Sequence, residues 1–163
     1  MILIGIGANL PSPAGPPRQT CEAALAHLGR LGITVAACSP WYETAPVPAS
    51  DQPWFINAVA AVQTSLSPTG VLAALHLTEA AFGRQRTEVN AARTLDLDLL
   101  AYGDLVRSDG APLLPHPRLH QRAFVLFPLR DLLPDWRHPV LGETAGELAA
   151  KLPADGIRRL GGS

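Results

Sequence analysis

The sequence has only two cysteines, Cys21 and Cys38. They lack metal-ligand spacing. Two thiols in a chain of 163 residues argue against a disulfide-stapled scaffold and for a reducing compartment, so the expected location is cytoplasmic. No apolar run approaches the roughly 20 residues that cross a bilayer. The apolar start, Met1 to Ile6, is too short for a signal peptide and has no basic flank. Neither sign of charge is in excess. The net charge of -1 offers no blanket attraction to nucleic acid or to anionic membranes, and neither is expected as a partner. Lysine is almost absent, Lys151 being the only one, so an arginine matters here by its position.

The chain is 47% hydrophobic and 17% charged. It reads as a single globular domain, 1–163, with one good core. Its organising stretch is Arg93-Thr94-Leu95-Asp96-Leu97-Asp98-Leu99-Leu100-Ala101-Tyr102-Gly103. At a period of two, Leu95, Leu97 and Leu99 point one way while Asp96 and Asp98 point the other. That is a half-buried strand with its leucine face in the core. The carboxylates then share a side, their Cα atoms roughly 6.6 Å apart. Two like charges facing one space require a cation between or over them. A hard ion such as Mg²⁺, completed by water and substrate phosphates, suits an all-oxygen pair. A strand with a solvated acidic face has the same alternation, and spacing alone leaves both readings open.

In chain order, Ile2 to Gly7 reads as a short buried strand. Gly5 and Gly7 do not begin a dinucleotide fingerprint, because Leu10 stands where its third glycine belongs. A proline-rich loop, Pro11 to Pro17, leads to a helix from about Gln19 to Leu31. Ile33 to Glu43 is rich in strand formers and is expected to cross the sheet, breaking where Pro46 and Pro48 hold the backbone extended. Trp54 to Leu66 is the next strand, with Phe55, Asn57, Val59, Ala61 and Gln63 on one face. Asn57 there is either satisfied by a neighbouring loop or free to read a heterocycle edge. Ser67-Pro68 starts a helix that runs to about Phe82. His76 and Glu79 share a face of it and, taken alone, read as a surface pair.

The run from Arg84 to Arg93 is polar and aperiodic, with arginine at both ends, which suits closure over phosphates. Pro115 to Phe124 gathers His116, Arg118, His120, Arg122 and Phe124. Pro117 between the histidines, with no acid nearby, argues against zinc. Val125 to Leu133 reads as a short strand or helix. Thr144 and Glu147 make a capping box for a final helix to Leu152, and Arg158 to Ser163 reads as a frayed end. There is no internal repeat.

Taken together, these residues resemble the 6-hydroxymethyl-7,8-dihydropterin pyrophosphokinases of folate biosynthesis. The matching blocks are GIGANL at 5–10, Tyr42-Glu43-Thr44, Asp51 to Ala58, and Glu79 with Gly83-Arg84. They continue with Arg93-Thr94-Leu95-Asp96-Leu97-Asp98, Leu114-Pro115-His116-Pro117-Arg118 and Arg122-Ala123-Phe124-Val125-Leu126. In order and at family spacing, they span nearly the whole chain.

The resemblance implies an α+β fold with a ferredoxin-like βαββαβ core, an antiparallel sheet with helices packed on it. It implies an enzyme, expected to be a monomer, that transfers pyrophosphate from ATP to the pterin's hydroxymethyl oxygen and releases AMP. Asp96 and Asp98 would hold two Mg²⁺ ions, and Arg84 and Arg93 would join them as catalytic residues. Contacts to ATP are implied for His76, Glu79, Arg84, Arg86, Arg93, Leu99, His116 and Arg122. Phe55 and Phe124 would sandwich the pterin, with Asn57, Thr44, Ala45 and Val47 at its polar edge.

This sequence departs from the family pattern at three places. His76 stands where some members have Gln, no tryptophan lies between Arg86 and Arg93, and Ala91-Ala92 precede Arg93. The segment from Arg84 to Ala92 is expected to be open without ligands and to close when MgATP and pterin are both present. Two other classes fit single pieces of the pattern. A different Mg²⁺-dependent phosphotransferase or phosphohydrolase would act on nucleotide without a pterin. A ferredoxin-like RNA-binding module would need the basic, aromatic surface that this chain lacks.

Overall fold

The computed structural model describes residues 1–46, 51–83 and 95–160. The elements are β1 (Ile2–Ala8), α1 (Pro17–Arg30), β2 (Thr34–Cys38), β3 (Tyr42–Thr44), β4 (Phe55–Gln63), α2 (Pro68–Ala81) and β5 (Asp96–Tyr102). After a 3₁₀ turn at Leu119–Gln121 come α3 (Ala123–Leu132), α4 (Ala145–Ala150) and β6 (Ile157–Arg159). The strands form one antiparallel sheet in the order β5-β1-β4-β3-β6, with β2 paired to β4. The fold is α+β.

β1 is apolar on both faces because it is central, between β4 and β5, and both faces are covered. On one side Ile4, Ile6, Ala60, Leu97 and Leu99 pack with Cys21 and Leu28 of α1 and Val71 and Leu75 of α2. On the other, Leu3, Val59, Ala61 and Leu100 pack with Val125, Leu126 and Leu129 of α3 and Leu148 of α4. The expected leucine face of β5 is therefore in the core. A bulge serves both faces. Ile4 pairs with Leu99 and Leu3 with Ala101, so Leu100 is the extra residue and turns to the α3 side.

Several local expectations hold. The Ser67 hydroxyl accepts from the Gly70 N–H at the start of α2, and Thr144 with Glu147 forms a capping box on α4. Two others are corrected, and one left open is decided. Ile33 to Glu43 is two strands, β2 and β3, laid end to end along β4. Pro40 has no N–H to continue the ladder, and the Ser39 hydroxyl takes the Val59 N–H at 3.0 Å in place of a main-chain partner. Of the two readings of Val125 to Leu133, strand or helix, the helix holds: α3 runs to Leu132 with Pro128 inside it, and Leu133 caps it. At the start of the end expected to fray, Arg158 and Arg159 are instead strand, with Thr44 paired to Ile157, Glu43 to Arg158 and Tyr42 to Arg159; 161–163 lie outside the described residues.

Candidate active site

Asp96 and Asp98 are half-buried on the face of β5 opposite Leu97 and Leu99. Their partners across β1 are glycines, Asp96 opposite Gly7 and Asp98 opposite Gly5, so no β1 side chain stands beside either carboxylate. Gly7 is in turn opposite Asn57 on β4. Asp96, Gly7 and Asn57 thus form one row across three strands, and two strand spacings separate the carboxylate from the amide at roughly 10 Å between Cα atoms.

The cation that the carboxylate pair requires is supplied in part by Arg122, whose Nη1 lies 3.7 Å from Asp98 Oδ2. The Arg122 guanidinium also sits 5.3 Å from the centroid of the Phe124 ring. It therefore stands between the acidic strand and an aromatic at the start of α3. An open cleft of about 440 Å³, within the size range of small-molecule sites, is lined by His76, Asp96, Asp98, Leu99, His116 and Arg122, with Leu72 and the wall 110–113.

His116 is tied to the sheet by its N–H, which donates to Leu100 O at 2.8 Å. Its Nδ1 accepts from the Arg118 N–H at 3.2 Å, which leaves the ring proton on Nε2. Burial, then Arg122 and Arg118, pushes its pKa down to about 4 against the opposing pull of Asp96. The imidazole is neutral at pH 7.

His76 and Glu79 do not form the expected surface pair. His76 is exposed on the cleft, whereas Glu79 is 1% exposed. The reason is the outer edge of β5. The Leu97 N–H, between the two aspartates, needs an acceptor away from water, and Glu79 Oε2 provides it at 2.9 Å.

Asn57 is also buried. Its Nδ2 donates to Thr44 Oγ1 at 2.6 Å, so a neighbouring strand satisfies it and not a loop. Phe55 is half-buried two residues before it in β4, directly opposite Thr44. The Ala45 N–H donates to Gly156 O at 2.8 Å. Phe124 is half-buried beside the core under α3. Val47, Arg84, Arg86 and Arg93 lie outside the described residues, as does the segment expected to close over the ligands.

One residue received no role from the sequence. Asn9 is buried just after β1, and its Nδ2 donates to Gln52 Oε1 and Pro53 O, both at 3.0 Å. It fixes the approach to Phe55. An amide directly after a buried strand was the available signal, but its partners lie more than forty residues away.

The sequence model of the 7,8-dihydro-6-hydroxymethylpterin-pyrophosphokinase (HPPK) family matches residues 3–134. A Pseudomonas aeruginosa 2-amino-4-hydroxy-6-hydroxymethyldihydropteridine pyrophosphokinase is 41% identical over 163 residues, covering 99% of this chain and 98% of the relative. A Methylorubrum extorquens protein of the same name is 40% identical over 158 residues, covering 96% of each. A Plasmodium falciparum HPPK-DHPS crystal structure shares the fold with a TM-score of 0.70 at 14% identity, covering 97% of this chain and 46% of that one. This chain spans under half the length of that solved protein.

Proposed function

The chain belongs to the 7,8-dihydro-6-hydroxymethylpterin-pyrophosphokinase family, and from that premise we propose how its own residues carry out the reaction. It is a kinase of folate biosynthesis that transfers the pyrophosphoryl group of ATP to 6-hydroxymethyl-7,8-dihydropterin. The hydroxymethyl oxygen bonds to the β-phosphorus, the bond from that phosphorus to the α-phosphate oxygen breaks, and AMP leaves.

The observation that carries the residue assignment is the row Asp96–Gly7–Asn57. It sets a carboxylate suited to polyphosphate chemistry and an amide suited to a heterocycle edge on one face, with only a glycine between them. Asn57, held by Thr44, reads the polar edge of the pterin, with the backbone at Ala45 and Val47 beside it. Phe55 and Phe124 cover its two faces. Reaction then takes place above β1, where Gly5 and Gly7 contribute no side chain of their own.

The chain around the attacked phosphorus is anionic and repels a nucleophile, so the protein's task is positioning and charge neutralisation. Arg122 brings a guanidinium to the cleft and orients Asp98. Neutral His116 offers its Nε2–H as a donor to a phosphate or ribose oxygen without adding charge. His76, Glu79 and Leu99 complete the nucleotide side, Glu79 through the Leu97 N–H that it holds. Arg84 and Arg93 are assigned to the phosphates on the family blocks alone, and Arg86 as a helper in the segment between them.

Asp96 and Asp98 fit Mg²⁺. Among the described residues no group of three or more His, Cys, Asp or Glu side chains forms a cage, and two carboxylates leave coordination positions for water and phosphate, as this ion prefers. When bound, two such ions would supply Lewis-acid neutralisation of the triphosphate.

The strand order supports reading the sheet and its first two helices as a ferredoxin-like core, with β2 and β3 together in the place of one strand. The reading also takes 1–163 as one catalytic domain, monomeric and cytoplasmic. AMP formation from MgATP with and without 6-hydroxymethyl-7,8-dihydropterin tests the function. Dependence on the pterin is expected, and AMP formed equally without it would overturn the proposal.

A further inference from the structure

The family model ends at residue 134, but the chain goes on to build β6 against β3. β3 has only three residues and carries Thr44, the partner of Asn57. Without β6 it would be a short edge strand, paired to β4 alone. Beyond the three register pairs, the Leu160 N–H donates to Trp41 O at 2.9 Å and the Ala45 N–H to Gly156 O at 2.8 Å. The approach at Gly156 is close. Its φ is +71°, and a Cβ there would lie 3.2 Å from that of Ala45, so glycine suits both the backbone and the space.

One side chain of β6 reaches both ends of the connection between β3 and β4. Arg158 Nη2 donates to Glu43 Oε1 at 2.6 Å, one residue before Thr44. The same guanidinium lies 5.9 Å from the centroid of the Trp54 ring, one residue before Phe55. Thr44 and Phe55 are themselves register partners. The contacts of Arg158 thus bracket the point where the chain leaves β3 and the point where it enters β4. We propose that Arg158 is a positioning residue for the pterin site, strapping Glu43 to Trp54 so that Thr44, Phe55 and Asn57 stay at the spacing that the heterocycle needs. This rests on the assignment of those three residues to the pterin.

Among the described residues, the polar and cation–π contacts of Arg158 go to Glu43 and Trp54, which line neither the cleft nor the row of Asp96, so its effect is expected on one substrate. Both of its contacts are at the surface, with Arg158 69% and Glu43 25% exposed, and each is individually weak. Loss of the strap lowers the fraction of free protein that is competent to bind, and the apparent Kd rises by the inverse of that fraction.

The test compares Arg158→Ala, Arg158→Lys and Glu43→Gln with the unaltered enzyme, measuring the Kd of 6-hydroxymethyl-7,8-dihydropterin and of a non-hydrolysable MgATP analogue separately, and then KM and kcat. For Arg158→Ala the pterin Kd and KM are expected to rise about three- to tenfold, the range for an exposed ion pair plus a cation–π contact. The analogue's Kd and kcat at saturation should stay unchanged. Arg158→Lys, which keeps the charge opposite Glu43, should recover part of the loss, and Glu43→Gln should reproduce it from the other side. An unchanged pterin Kd in both Arg158→Ala and Glu43→Gln, or equal weakening of both ligands, overturns the inference. Failure of the unaltered enzyme to bind the pterin would instead overturn the functional reading beneath it.

Discussion

Gly7 leaves room that Asn57 fills: a Cβ on Gly7 would stand 2.4 Å from Asn57 Oδ1 and 3.3 Å from Ile56 O. An alanine at 7 must therefore push the amide away from Thr44 or bend β1 against β4. Glycine in a strand interior ordinarily costs stability; here its absence costs the site. Gly7→Ala is expected to raise the pterin Kd by about tenfold or more, the loss of roughly one buried hydrogen bond. ATP binding should be nearly unaffected. Calorimetry with each ligand alone measures this, and equal affinity for the pterin before and after the change would remove Asn57 from the site.

Asp96→Asn and Asp98→Asn should each keep the fold and lose most turnover. A carboxylate lost from a polyphosphate site costs about 3–5 kcal/mol in the transition state, roughly two to four decades in rate. Chelation with EDTA should abolish activity in the unaltered enzyme, and added Mg²⁺ should restore it. Near-normal rates in both variants at saturating Mg²⁺ would refute the assignment.

Replacing Phe55 or Phe124 by Ala should weaken pterin binding by about 1–3 kcal/mol, judged by stacking losses of similar rings, with little change for ATP. Parallel losses for both ligands would make these rings core residues only.

Glu79→Ala removes the carboxylate oxygen that accepts from the Leu97 N–H. An unfolding free energy lower by about 1–3 kcal/mol is expected from a buried unpaired amide alone. Glu79→Gln retains an oxygen at that place and should lose less. Chemical denaturation of the two variants decides between this tether and a surface residue, which would show no difference.

The lowered pKa of His116, about 4 against 6.5, has a definite sign. Burial is its main cause, followed by Arg122 and Arg118. The unfolded chain takes up this proton first as pH falls. The stability contributed by neutral His116 is therefore complete above about 6.5 and declines as pH falls toward about 4. Replacing His116 with Asn should flatten that part of the stability–pH curve. A ring resonance titrating near 6.5 in the folded protein would contradict the environment described.

What could be read from the sequence was whatever depends on neighbours in the chain. The alternation of Leu95, Asp96, Leu97 and Asp98 specifies two faces whatever lies above them, and the fold keeps it: the leucines are core and the aspartates line the cleft. The caps at Ser67 and Thr144 are equally local, because a side chain closes onto an N–H three residues on. The tertiary structure decided whatever depends on an edge. Glu79 looks like any polar helix residue until α2 lies against the open side of β5 and an amide there needs an acceptor. Asn9 finds Gln52 and Pro53, and β6 finds β3, only once the sheet brings together residues far apart in the chain. Periodicity records which way a side chain points, but the partner it meets is set by the closing of the sheet, and no window along the chain contains both.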